Sequence, residues 1–160
     1  MLERASILRG MAAGLVAAGV MSAARLAAHR AGLIERTVPQ VLQERVAGSA
    51  GIDLPGGTAA HQLAAEVIHQ AVSLGFGALL GAITSRPGVA AGVGYGLVIW
   101  GVDALGLLPM LRVDRVGGRA VDAAAHGIFG AALALAMREL AAQPRLAPAP
   151  TVIPLRRRVG

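Results

Sequence analysis

The ionisable residues that interrupt the long apolar stretches of this sequence are few, and they are the residues that could do chemistry. They are Arg25, Glu66, His69, Asp103, Asp122 and His126. A charged group in apolar surroundings is costly unless it is paired, so each such residue is a functional candidate by default. We treat the six together as one candidate intramembrane polar cluster.

The spacing of four of these residues places them in pairs on helix faces. Glu66 and His69 are three residues apart, and Asp122 and His126 are four residues apart. On a helix, each carboxylate therefore lies beside an imidazole. Facing pairs could bind a proton, a cation or a transition metal; the alternative is structural salt bridges, with Arg25 paired to Glu66 or Asp122. Because imidazole titrates near neutral pH in water, either arrangement predicts pH sensitivity.

Other chemical motifs find little support in the sequence. The single Glu-x-x-His is half of a di-iron bundle signature, but the second motif and the bridging glutamates are missing. There is no cysteine, and Ser22 and Ser73 have no base at a motif spacing. Gly92-x-Gly94-x-Gly96 follows no strand, so close helix packing explains it better than a phosphate loop. We expect no catalytic residue, no metal and no cofactor.

The composition favours lipid as the solvent around these residues. Hydrophobic residues make up 55% of the 160 residues and charged residues 15%, against about 25% charged residues in soluble proteins. Many of the 22 glycines lie inside the apolar stretches. Glycine weakens a helix in water, whereas small residues in a membrane let helix backbones approach closely.

Four apolar stretches predict an all-α fold, namely an integral membrane up-and-down four-helix bundle in residues 1–143. The stretches lie at about 7–28, 62–85, 88–109 and 119–140. Residues 38–46 predict a short amphipathic helix in the membrane interface between the first two helices. The Pro-Gly turn at 84–88 makes the second and third helices antiparallel neighbours. The Pro- and Arg-rich residues 144–160 predict a disordered tail.

This topology gathers the polar cluster at one face of the membrane. Helices two and four start at the face where helices one and three end. The cluster residues lie early in helices two and four and late in helices one and three. All six therefore fall at a similar shallow depth.

The first stretch has an alternative interpretation as a signal peptide, because Arg4 and Arg9 precede an apolar run that ends in small residues. The Gly10-x-x-x-Gly14 ladder favours a retained packing helix. A signal-anchored or partly soluble bundle is a further alternative. The arginines divide eight to seven between the two faces, so the arginine triplet at 156–158 alone leads us to expect cytoplasmic termini.

The net charge of +6 does not indicate a nucleic-acid partner. All 15 basic residues are arginine and aromatic residues are 2% of the chain, so base-stacking platforms are absent. Anionic lipid head groups are the simpler partner for this charge. We expect the lipid bilayer as the partner, with a second copy or another membrane protein as candidates, and no nucleic acid.

Several segments resemble the YagU-like family of uncharacterised bacterial inner-membrane proteins. They are Gly94-Tyr95-Gly96-Leu97-Val98-Ile99-Trp100 running to Leu107-Leu108-Pro109, Phe76-Gly77-Ala78-Leu79-Leu80-Gly81 after His69, and Phe129-Gly130-Ala131 after His126. The resemblance covers most of residues 7–140 and departs in the alanine-rich composition and the arginine-rich tail. It implies four inner-membrane helices without an established activity, and for some relatives a link to acid tolerance. The two similar Phe-Gly-Ala segments hint that helices one–two and three–four are related halves.

The sequence therefore predicts a multi-pass protein of the bacterial inner membrane, of a structural or accessory type and not an enzyme. In this interpretation the pH-sensitive polar cluster holds the bundle together. The first alternative is a proton- or ion-handling protein that uses the polar cluster in transport or acid tolerance. The second is a metal-dependent membrane enzyme.

Overall fold

The computed structural model describes residues 4–34, 58–105 and 118–143, and within these ranges the chain is all-helical without strands. The four helices are α1 (Arg4–Arg30), α2 (Thr58–Ile83), α3 (Val89–Ala104) and α4 (Arg119–Ala142). By length and composition, α1, residues 66–83 of α2, and α4 could each cross a membrane, while α3 is a shorter apolar helix. Within the described residues, the predicted all-α fold with four helices is confirmed.

The helix ends differ from the predicted ranges mainly at α3. This helix stops at Ala104, where the Leu105 N–H bonds to the carbonyl of Gly101, rather than continuing towards residue 109. The predicted amphipathic helix at 38–46 and the predicted disordered tail at 144–160 lie outside the described residues.

α1 and α2 cross through direct backbone contact at glycines. A Cβ added to Gly10 would overlap the carbonyl oxygen of Gly77, and one added to Gly14 would overlap the carbonyl oxygen of Ser73. Neither position has room for a side chain, so the two helices approach as closely as their backbones allow. The Gly10-x-x-x-Gly14 ladder is thus a packing surface for α2.

α3 and α4 repeat the same crossing in the second half of the chain. A Cβ on Gly92 would overlap the carbonyl oxygen of Gly130, and one on Gly96 would overlap that of His126. The spacings are the same as in the first half, with Gly92 and Gly96 in the places of Gly10 and Gly14. The two halves, α1–α2 and α3–α4, are therefore built on one pattern.

α1 also packs along α4, so the helices follow the order α2, α1, α4, α3 around the bundle. Ala13 and Ala17 on α1 are fully buried at this centre, together with Leu133 and Met137 on α4. The small side chains of α1 leave room for the larger side chains of α4, which closes the α1–α4 side.

The fourth side of the bundle, between α2 and α3, is packed less closely. Within the described residues the two helices make no extended backbone approach, although the turn at 84–88 joins them. They meet where the Tyr95 hydroxyl donates a 2.8 Å hydrogen bond to the carbonyl of Phe76. The prediction that the turn at 84–88 makes α2 and α3 neighbours holds only at the turn and at this hydrogen bond. α2 packs closely on α1, and α3 packs closely on α4, because the glycines of each half face one another.

Candidate functional site

The polar cluster lies at the end of the bundle where α1 and α3 end and α2 and α4 begin. Arg25, near the end of α1, occupies its centre. Its guanidinium lies within electrostatic range of four other cluster members, namely Asp103, Asp122, His69 and His126. The sixth member, Glu66, lies within electrostatic range of His69. The fold therefore brings residues from all four helices into one electrostatic group.

Arg25 and Asp122 form an ion pair between α1 and α4. Nη2 of Arg25 lies 3.5 Å from Oδ1 of Asp122, and the two side chains are only 14% and 22% exposed. Nε of Arg25 is buried and makes no hydrogen bond, so the guanidinium uses only part of its donor capacity. Of the two ion pairs considered from the sequence, the structure contains the one with Asp122.

Glu66 joins α2 to α1 through neutral side chains. Its Oε1 accepts a 2.8 Å hydrogen bond from Nε2 of Gln70 on the next turn of α2. Ser22 of α1 donates to Oε1 and Oε2 at 3.4 and 3.5 Å. The Glu66 carboxylate is thus held by polar groups of two helices, in addition to its interaction with His69.

Ser22 and Gln70 are the two members of the site that sequence reasoning missed. Ser22 was considered only as a nucleophile, and Gln70 was not considered at all. Gln70 could have been found, because it lies four residues after Glu66 and so shares its helix face. Ser22 carried no such signal, since its contact depends on how α1 and α2 cross.

The two histidines are placed differently. Nδ1 of His126 lies 2.8 Å from the backbone carbonyl oxygen of Asp122. A carbonyl oxygen only accepts, so Nδ1 carries a proton and Nε2 is the acceptor of the neutral ring. His69 lies within electrostatic range of Glu66, Arg25 and His126.

The charge count of the polar cluster limits its chemistry. Three carboxylates face one guanidinium and two imidazoles, so neutral histidines would leave more negative than positive charge in a low-dielectric setting. Within the described part of the chain, no three His, Asp or Glu side chains are placed to hold a metal ion. The arrangement can fix α1 between α2 and α4 through the Arg25–Asp122 ion pair and the Ser22–Glu66 contact.

Comparison with known proteins supplies no relative for this arrangement. The function proposed for this chain therefore rests on its helices and its polar cluster. No protein-family model, no curated protein and no solved structure matches this chain.

Proposed function

We propose that this chain is a small integral membrane protein of structural or accessory type that crosses the bacterial inner membrane four times, with both termini in the cytoplasm. α1, α2 and α4 are the long spans. The 16 residues of α3 extend about 24 Å and form a shorter fourth span. The polar cluster holds α1 in place between α2 and α4. No catalytic role is assigned to it.

The observation that carries this proposal is the distribution of small and large apolar side chains. The inside of the bundle is rich in alanine and glycine, and Ala13, Ala17 and Ala134 are fully buried there beside the larger Leu133 and Met137. Large apolar side chains point outward on every helix. Examples are Leu8, Leu63, Leu79, Val98 and Leu135, with Leu63 and Val98 about two-thirds exposed at 66% and 64%.

A monomer with this arrangement would be unstable in water. Exposed apolar surface costs about 25 cal/mol per Å² relative to burial, and the outward side chains continue around the bundle. Lipid tails solvate such side chains, and the glycine crossings supply the close packing that drives helix association in a bilayer. The bundle thus matches lipid as its surrounding solvent.

Membrane fractionation tests the proposal directly. The full chain, expressed in a bacterium with a C-terminal tag, should sediment with the inner membrane. It should resist extraction by alkaline carbonate and enter solution only with detergent. A peripheral membrane protein of known behaviour is the control for the carbonate step. Recovery of the folded chain in the soluble fraction without detergent would contradict the proposal.

Replacing both histidines of the polar cluster tests its assigned role. His69→Gln and His126→Gln keep hydrogen-bonding side chains but remove the titratable rings. If the cluster is structural, the double variant melts at a lower temperature in detergent, and proteoliposomes of the wild type conduct no more protons than empty liposomes.

A proton- or ion-handling protein is the second candidate function. It is favoured by the excess of carboxylates over the single guanidinium within a cluster that has two imidazoles. Four helices rarely enclose a pore alone, so this function would need a homo-oligomer. It predicts a pH-dependent ion flux in wild-type proteoliposomes that the double histidine variant loses while its melting temperature and helix content stay unchanged.

Membership of the YagU-like family belongs to the same proposal. It is supported by the Gly- and aromatic-rich segments around Tyr95, Phe76 and Phe129, which lie in α3, α2 and α4. An acid-tolerance role would follow if deletion of the gene lowered survival at acidic pH and the wild-type gene, but not the double histidine variant, restored it.

A further inference from the structure

The side of the bundle between α2 and α3 differs from the three other sides. α1–α2, α3–α4 and α1–α4 are in extended contact, whereas α2–α3, in the described residues, is not. The two glycine crossings align Gly10 with Gly92 and Gly77 with Gly130. This alignment pairs α1 with α3 and α2 with α4. The α2–α3 side of the bundle therefore corresponds to the closely packed α1–α4 side.

One residue pair explains why the two counterpart sides differ. Ala13 on α1 lies three residues after Gly10, and Tyr95 on α3 lies three residues after Gly92, so they occupy equivalent positions. Ala13 is fully buried and lets α4 approach. Tyr95 instead places a phenol ring between α3 and α2, and its hydroxyl bonds to the Phe76 carbonyl at 2.8 Å.

We infer that α2 and α3 can separate, so that the bundle opens on this side. The hydrogen bond between Tyr95 and Phe76 holds the two helices together in the closed state. Apart from apolar residues of α2 and α3 that share the core cluster, the described residues show this one hydrogen bond between the two helices, and its carbonyl already accepts a helical hydrogen bond. The turn at 84–88 ties the helices together at one end. Opening is therefore largest at the other end, where the polar cluster lies.

The consequence of opening is access to the polar cluster. Glu66 and His69 are carried by α2 and Asp103 by α3, while Arg25 and Asp122 remain joined on the closed α1–α4 side. Separation of α2 from α3 would let water or a cation reach the polar cluster between these two helices, while Ser22 of α1 still contacts Glu66. The inference rests on the proposed four-span arrangement, which membrane fractionation tests separately.

Distance measurements between spin labels test the inference in the full chain. The protein has no cysteine, so labels attach only to introduced ones. One pair, Val67→Cys with Leu105→Cys, reports on the exposed ends of α2 and α3 beside the polar cluster. The control pair, Leu26→Cys with Ala124→Cys, reports on α1 and α4 at the same end. Both pairs are measured in proteoliposomes, with and without Tyr95→Phe.

The expected result is a broad distance distribution for the α2–α3 pair and a narrow one for the α1–α4 pair. Tyr95→Phe should shift the α2–α3 pair to longer distances and leave the control pair unchanged. An α2–α3 distribution in the wild type as narrow as the control would overturn the inference, whether or not the variant folds. So would a Tyr95→Phe protein with unchanged α2–α3 distances.

Discussion

At the scale of single residues, Arg25 has an unusual position for a charged group in an apolar helix. It pairs with Asp122 on α4 and interacts with Asp103 on α3, while Ser22, on the preceding turn of α1, contacts Glu66 of α2. One turn of α1 thus makes polar contacts with two neighbouring helices. Such contacts favour the same rotation of α1 as the glycine crossing with α2 does.

Removing one partner of the Arg25–Asp122 ion pair should lower the free energy of unfolding more than removing both partners. Arg25→Gln or Asp122→Asn alone leaves a poorly compensated charge, and we expect each to lower the free energy of unfolding by about 3 kcal/mol. The double variant should recover part of this loss, because two amides can bond to each other. Denaturation in mixed detergent micelles, followed by circular dichroism, measures all three.

Arg138→Gln is the matched control, because Arg138 is exposed at the other end of α4. It should change the free energy of unfolding by less than about 0.5 kcal/mol. If the effects of the two single variants simply added in the double variant, Arg25 and Asp122 would not be coupled.

Two glycines of α2 should respond in opposite ways to the same substitution. Gly77→Ala places a methyl group against the backbone of Gly10, whereas Gly75 has nothing within 4 Å of an added Cβ. We expect Gly77→Ala to destabilise the protein by about 1–3 kcal/mol through overpacking. Gly75→Ala should be neutral or slightly stabilising, since alanine is the better helix former.

The same micelle denaturation compares these two variants with the wild type. Because both residues lie in the middle of the same helix, the helix preference of alanine over glycine acts on both alike. Equal stability of the two variants would mean that α1 and α2 do not cross at Gly77.

At the scale of helices, α1 is the element on which the bundle depends. It contacts α2 through glycines and α4 through alanines, and it carries the only arginine of the polar cluster. A chain without α1 would expose the glycine face of α2 and leave Asp122 unpaired. These contacts favour a retained helix over a cleaved signal peptide.

The mature protein should therefore keep α1. Intact-mass spectrometry of the purified membrane protein is expected to give the mass of a chain that includes residues 4–30. A variant that lacks residues 4–30 should be degraded or aggregate, because two helix faces lose their partner. A mature mass that corresponds to cleavage after Ala24 would contradict this expectation and favour the signal-peptide interpretation.

The repeated crossing makes the two halves comparable as units. Gly92 and Gly96 of α3 meet α4 as Gly10 and Gly14 of α1 meet α2. The halves differ where each meets the other, with Ala13 on one side and Tyr95 on the other. The two halves thus share the same internal packing, while the contacts between them are unequal.

At the scale of the whole molecule, the proposed topology places the two ends of the bundle on opposite sides of the membrane. The turn at 84–88 then lies in the cytoplasm, and residues 31–34 after α1 lie on the outer side with the polar cluster. The arginine count does not decide between this orientation and its inverse. The orientation can be determined by cysteine labelling.

Single cysteines in the cysteine-free chain decide the orientation. Leu33→Cys is expected to react with a membrane-impermeant thiol reagent in intact spheroplasts, since Leu33 is exposed beyond the end of α1. Ser85→Cys in the turn should react only after the membrane is permeabilised. The reverse pattern would place the termini outside, and labelling of both would be incompatible with an odd number of spans between them.

The sequence by itself predicted lipid as the solvent, and it predicted correctly the four helices that lie in the described residues. Runs of apolar residues with few charges and many glycines are enough for this, because helix formation and lipid solvation depend on local composition. Local spacing and helix direction also sufficed to gather the six cluster residues at one end of the bundle. Glu66, His69, Asp122 and His126 needed only their positions along α2 and α4.

Only the tertiary structure decided which helices touch and which polar groups meet. The glycine ladders on α1 and α3 do not say which partner they face, so the close α1–α4 side and the looser α2–α3 side were not predictable. For the same reason Ser22 was missed as a contact of Glu66, and the choice of Asp122 for Arg25 stayed open. Rotation of a helix about its axis is set by side chains from its neighbours, and that information is spread over residues distant in sequence.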